Sequence, residues 1–205
     1  MALITSLSSS EIFAVLAIAV SIIRYGTYLW SMYKRETRPH IFSWFNWGTV
    51  TGIGAYAQFS LHGGPSAWVL TVVSSTCFFI AFLALFVGEK DIKRSDWFAF
   101  IGALLAIPVW MVTNDPFMAI IVVIVIDGLT YYPTVRKSWS DPWGEPPKSY
   151  FWAGLRYFLA LFAVDDPSFE TIVYPFFLMA TDWGFALYVL WRRRVLSDKI
   201  DTNTI

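Results

Sequence analysis

Apolar residues in this chain come in long runs broken by short polar connections. A helix that crosses a bilayer needs about 17–25 mostly apolar residues. Seven stretches reach or approach that length: Glu11–Tyr33, Ile41–Leu61, Pro65–Val87, Asp96–Val112, Pro116–Val135, Ser149–Val164 and Ser168–Trp191. The fourth and sixth are the shortest. The pattern predicts an all-α membrane protein, a single membrane domain with seven transmembrane helices.

Charge orients these spans. Lys34, Arg35 and Arg38 follow the first, Lys90, Lys93 and Arg94 the third, Arg136, Lys137 and Lys148 the fifth, and Arg192, Arg193, Arg194 and Lys199 the seventh. These are 13 of the 15 cations, all on one side. The opposite loops carry Asp115, Asp165, Asp166 and Glu170 and no Lys or Arg. The positive-inside rule then places the N-terminus outside and the C-terminus in the cytoplasm, which requires an odd number of spans.

Composition agrees. Of 205 residues, 57% are hydrophobic, 19% aromatic and 15% charged. A soluble domain carries about 25% charged residues, so a disordered chain, a coiled coil and most soluble enzymes are excluded. Net charge is zero, with no basic surplus for nucleic acid. Cys77 is the only cysteine and forms no internal disulfide. The first cation is Arg24, so no basic region precedes the first span, and that span is expected to stay in the membrane, most simply the plasma membrane.

The spans repeat. Gly64-Pro65-Ser66 before the third matches Asp166-Pro167-Ser168 before the seventh, and Lys34-Arg35 matches Arg136-Lys137, both at an offset of 102. Ser43-Trp44-Phe45-Asn46-Trp47-Gly48 matches Ser149-Tyr150-Phe151-Trp152-Ala153-Gly154 at an offset of 106. The reading is 3+1+3: a three-helix unit over 11–87, a linker helix over 96–112 and a second unit over 116–191. Three spans reverse orientation and the linker restores it, so the repeats are parallel. Sites in such folds lie near the midplane between the repeats.

Four charges fall inside spans: Arg24, Asp127, Arg156 and Asp182. They stand 10, 9, 8 and 10 residues from Lys34, Arg136, Lys148 and Arg192. At ~1.5 Å per residue each lies about 12–15 Å from the inner edge. Asn46 falls at the same height. Each charge at the bilayer centre costs at least ~2.5–3.5 kcal/mol unless compensated. The layer therefore either floors a polar cavity or forms buried ion pairs that brace the helices.

Trp44, Trp47 and Trp152 accompany Asn46 early in the second and sixth spans. Trp44 and Trp47 are three apart, on one face, placed to stack a flat ligand; Trp44 also suits the interfacial aromatic belt. Gly48 and Gly52 form a close-packing pattern. Pro108, Pro133 and Pro175 interrupt spans. His40 and His62 lie a membrane apart, no cluster has metal-ligand spacing, and no cofactor fingerprint occurs. The absence of any lysine from the spans excludes a Schiff-base retinal protein.

Tyr132-Pro133-Thr134-Val135-Arg136-Lys137-Ser138, the prolines Pro142, Pro146 and Pro147, and Arg38-Pro39-His40 together resemble the SWEET and PQ-loop transporter superfamily. The resemblance covers roughly the whole chain. It implies gating at Pro133 and a pathway-facing Asp182. The family's Pro-Gln is Pro133-Thr134 here, and Ser31 replaces the first-helix proline. The sugar carriers' third-helix asparagines are replaced by Ser74, Ser75 and Thr76 in one repeat and Asp182 in the other, which argues against a sugar.

The expectation is a transporter or facilitator of a small polar solute by alternating access, not an enzyme, with no cofactor and no metal. Arg24, Asn46, Trp47, Asp127, Trp152, Arg156 and Asp182 are the expected substrate-binding residues. Two arginines favour a zwitterion or an anion; the similar PnuC-type vitamin carriers keep a flat solute open. The other reading is a membrane sensor or assembly subunit with structural ion pairs. Partners are the solute and the lipid bilayer, with no nucleic acid. Both halves are present, so a monomer suffices, and a homo-oligomer is left open.

Overall fold

A computed structural model describes residues 7–35, 39, 41–88, 94–113, 115–140, 142–144 and 147–202. Among the described residues it holds seven α-helices, one 3-10 turn at Pro142–Gly144 and no strand. The helices are α1 (Ser9–Tyr33), α2 (Ile41–Ser60), α3 (Pro65–Val87), α4 (Arg94–Thr113), α5 (Pro116–Ser140), α6 (Pro147–Leu161) and α7 (Phe169–Thr202).

Local chemistry sets several ends. Ser8 Oγ accepts from the Glu11 N–H at 3.2 Å, and Glu11 Oε2 accepts from the Ser8 N–H at 2.7 Å. This reciprocal cap satisfies two donors that the first turn of α1 leaves open. The α2–α3 turn places His62 and Gly64 at φ of 58° and 63°. Pro65 then opens α3, where its missing N–H is not needed.

The C-terminal ends of α5, α6 and α7 depart most from the apolar runs. α5 continues past Val135 and α7 past Trp191 because their ends hold each other. Arg192 Nε donates to the Trp139 carbonyl at 2.7 Å, and its guanidinium lies 4.0 Å from the Trp139 ring centroid. Arg193 Nε donates to the Pro142 carbonyl at 3.1 Å. α6 stops at Leu161, short of Val164, since Phe162 and Ala163 tighten into i−3 bonds and the Ala163 carbonyl accepts from Ser66 N of α3 at 2.9 Å.

Three stretches, Ser9–Trp30, Pro65–Val87 and Phe169–Ser197, are long and apolar enough to cross a membrane, and Pro116–Gly128 is a shorter apolar stretch. Their outward faces stay apolar: Val15, Ile22 and Ile23 on α1, Phe79, Phe82 and Phe86 on α3, Phe176, Leu187 and Leu190 on α7 are all exposed. Water disfavours such a continuous surface and lipid accepts it, which marks a membrane protein.

In the first triplet α3 lies between α1 and α2; in the last, α7 lies between α5 and α6. Across the triplets α1 packs on α6 and α2 on α5, while α4 rests on α2 and α5. Leaving α4 aside, exchanging α1 with α5, α2 with α6 and α3 with α7 keeps these neighbours unchanged. The close contacts also correspond. Gly48 of α2 lies under Phe78 of α3, where a Cβ would sit 3.0 Å from the ring. Gly154 of α6 lies under Trp183 of α7, where a Cβ would overlap the indole. Gly52 also abuts α3, at Ser74.

One core joins the triplets: Val50, Ala55, Ala57 and Leu70 pack with Ile120, Val123, Tyr157, Tyr174 and Leu178. Polar contacts close the molecule at the end that carries Asp165, Asp166 and Glu170. Ser10 Oγ donates to Asp165 Oδ1 at 2.5 Å, and buried Gln58 Nε2 donates to the Thr171 carbonyl. With the Ser66–Ala163 bond, each link runs from the first triplet to the last or its preceding loop. Gly64 sits against Asp165, and a Cβ there would strike the carboxylate.

Candidate functional site

Between the triplets lies a cavity of about 740 Å³. Arg24 of α1, Asp127 of α5, Arg156 of α6 and Asp182 of α7 all line it. So do Trp47 of α2 and Trp152 of α6. It reaches the basic end of the molecule, where Ser43, Lys148 and Ser149 line it at the starts of α2 and α6. The opposite, acidic end carries the Ser10–Asp165, Gln58–Thr171 and Ser66–Ala163 bonds, and no described residue of that end lines the cavity.

The four charges do not pair with one another. Among the described residues no arginine among them lies within 4.0 Å of either carboxylate. Tyrosines take that place. Arg156 Nη1 donates to Tyr25 Oη at 2.9 Å, and its guanidinium lies over the Tyr157 ring at 4.3 Å. Tyr131 Oη donates to Asp182 Oδ1 at 2.6 Å. Tyr174 Oη donates to Asp127 Oδ2 at 3.2 Å. Asp127, Arg156 and Asp182 are 4%, 3% and 7% exposed. Each hydroxyl supplies the hydrogen bond that an opposite charge would have supplied in an ion pair.

Arg24 differs. It is half-buried, and among the described residues its guanidinium meets the Tyr25 ring, 5.3 Å from the centroid. Arg156 lies 5.4 Å from the same centroid. One tyrosine therefore carries two guanidiniums.

Asn46 is not part of this wall. It is buried, and its Oδ1 has no hydrogen-bond partner. Asn46 shares the height of the charged layer but lies one residue, about 100°, around α2 from Trp47. Trp44 and Trp47 do not frame a slot: their rings meet edge-to-face at 5.4 Å and 90°. Nor does Trp44 belong to an interfacial belt. It is buried, its Nε1 donates to Tyr28 Oη at 3.2 Å, and its ring packs on Tyr28 at 4.8 Å. Trp47 and Trp152 remain exposed and face the cavity. α5 runs through Pro133, whose side chain lies outside the described residues, as do the side chain of Ser31 and all of His40. Among the described residues no His, Cys, Asp and Glu group has a metal-binding arrangement.

Sequence reasoning passed over Tyr25, Tyr131, Tyr157 and Tyr174. A signal was present. Tyr25 and Asp127 stand at the repeat offset of 102, Tyr131 follows Asp127 by one helical turn, and Tyr157 adjoins Arg156. In a chain so rich in aromatics, tyrosines that answer charges look like the rest. No known family's sequence model, no curated protein and no solved structure matches the chain.

Proposed function

We propose that the chain is a seven-span membrane transporter or facilitator that passes a small polar solute by alternating access between two three-helix repeats. The observation that carries this reading is the cavity between the triplets, lined by charges from four helices and reaching the basic end. Two-sided closure is the minimum a carrier needs, and here one end is latched while the other is lined by Ser43, Lys148 and Ser149. Matching helix neighbours in the two triplets supply the symmetry for the opposite state. The loop charges favour an outside N-terminus, a cytoplasmic basic end and residence in the plasma membrane. The SWEET and PQ-loop resemblance points the same way.

A bracing subunit would hold its arginines and aspartates in contact. The separation of these charges, each answered by a tyrosine or open to the cavity, favours a pathway over a brace.

The test is uptake. A thermal-shift screen of sugars, amino acids, vitamins and small organic acids selects the solute, and counterflow into proteoliposomes measures its passage. Asp182→Asn keeps the Tyr131 hydrogen bond and folded yield but abolishes uptake. Absence of flux in the parent, or a collapse of yield in Asp182→Asn with no flux lost, overturns the reading.

A further inference from the structure

The cavity holds an uneven set of charges. Among the described residues, three cations line it, Arg24, Lys148 and Arg156, against two carboxylates, Asp127 and Asp182. One positive charge is in excess. Arg156 is committed: Tyr25 accepts from it, Tyr157 covers its face, and its Nε is sealed away from the cavity. Lys148 is exposed at the basic end, where water and ions screen it. Among the described residues, Arg24 is the cavity-lining arginine whose guanidinium no hydrogen bond or ion pair occupies. Desolvated cations in spans are compensated by an acceptor or by water. Tyr28, Trp47 and Trp152 add aromatic surface to the same cavity.

We propose that the solute is a small organic monoanion and that Arg24 is its specificity-determining contact, with Arg156 and Tyr25 as positioning residues. Resting on the transport reading above, this gives that site its substrate class. The anionic group docks on the Arg24 fork as a charge-assisted, two-point hydrogen bond. It neutralises the excess charge, and the solute's apolar body lies along Trp47 and Trp152. The Tyr25 ring, supported from its other neighbour Arg156, fixes the direction from which Arg24 approaches.

Benzoate and benzamide separate charge from shape, since they differ chiefly in that one charge. Binding to the purified full chain is read by tryptophan fluorescence, and passage by counterflow in proteoliposomes. Benzoate is expected to bind and to exchange, with benzamide about tenfold or more weaker, the equivalent of one charge-assisted contact. Arg24→Gln is expected to lower benzoate affinity about tenfold or more and leave benzamide unchanged, and Arg24→Lys to restore part of the loss. A parent that transports benzamide or a sugar but rejects benzoate overturns the anion assignment and leaves transport standing. Benzoate binding without flux keeps the assignment and overturns transport. Benzoate binding that Arg24→Gln leaves unchanged overturns the role of Arg24.

Discussion

Tyr25 Oη accepts a hydrogen bond at 2.9 Å from Nη1 of Arg156, a residue 131 positions further along the chain. The bond ties α1 of the first triplet to α6 of the last at the level of the cavity. It is the best-satisfied polar contact Arg156 has, because its Nε has no partner at all.

Tyr25→Phe removes that acceptor and keeps the ring. Arg156 then stays buried with one donor more unanswered. A loss of about 1–3 kcal/mol of stability is expected, seen as a lower melting temperature of the purified protein. The double variant Tyr25→Phe with Arg156→Met is expected to recover part of the loss, since the orphaned cation is gone. An unchanged melting temperature in the single variant would show that the bond contributes nothing.

Gly54 of α2 and Gly154 of α6 lie against rings of α7 that leave no room for a methyl group. Gly154→Ala drives a Cβ into the indole of Trp183, which is held by its Nε1 bond to the Phe151 carbonyl at 3.1 Å. Gly54→Ala meets the fully buried ring of Tyr174. Each is expected to cost about 1–3 kcal/mol through overpacking. Gly26→Ala and Gly184→Ala meet nothing within 4 Å and are expected to be neutral or stabilising by up to about 1 kcal/mol. Folded yield by size-exclusion chromatography separates the two groups.

Cysteine labelling reports which end of the cavity is open. Cys77 is the only native cysteine and is buried, so Trp152→Cys, at an exposed position that lines the cavity, carries the report in a Cys77→Ala background. In vesicles a membrane-impermeant maleimide is expected to label that variant from the basic face and not from the acidic one. Asp165→Ala and Gln58→Leu each remove one link of the acidic-end closure. Both are expected to raise labelling from the acidic face several-fold. Equal labelling from both faces without those two substitutions would contradict a closed acidic end.

Asn46 separates height from direction. Its buried Oδ1 has no partner, so the amide is desolvated with little return. Asn46→Leu is expected to leave solute uptake unchanged and to keep or raise the melting temperature. Lost uptake with intact folding would place Asn46 in the pathway after all.

Much was legible in the chain before any coordinates. Apolar runs foretold seven helices, and counting residues from the loop cations set Arg24, Asp127, Arg156 and Asp182 at one height. That works because rise per residue is fixed and the helix is local: sequence distance along one helix is distance in space. The apolar outer surface follows as well, since composition alone decides which solvent a helix face accepts.

Direction and partnership were not legible. Asn46 shares the layer but turns away from the cavity, because rotation of α2 is set by how Gly48 and Gly52 seat against Phe78 and Ser74. Arginine and aspartate at equal height suggested ion pairs, yet the packing interposed Tyr25, Tyr131 and Tyr174. Height is a property of one helix and its own residues. Which side chains meet, and which end of the hollow is closed, depend on contacts between helices far apart in the chain, and only the packed bundle decides them.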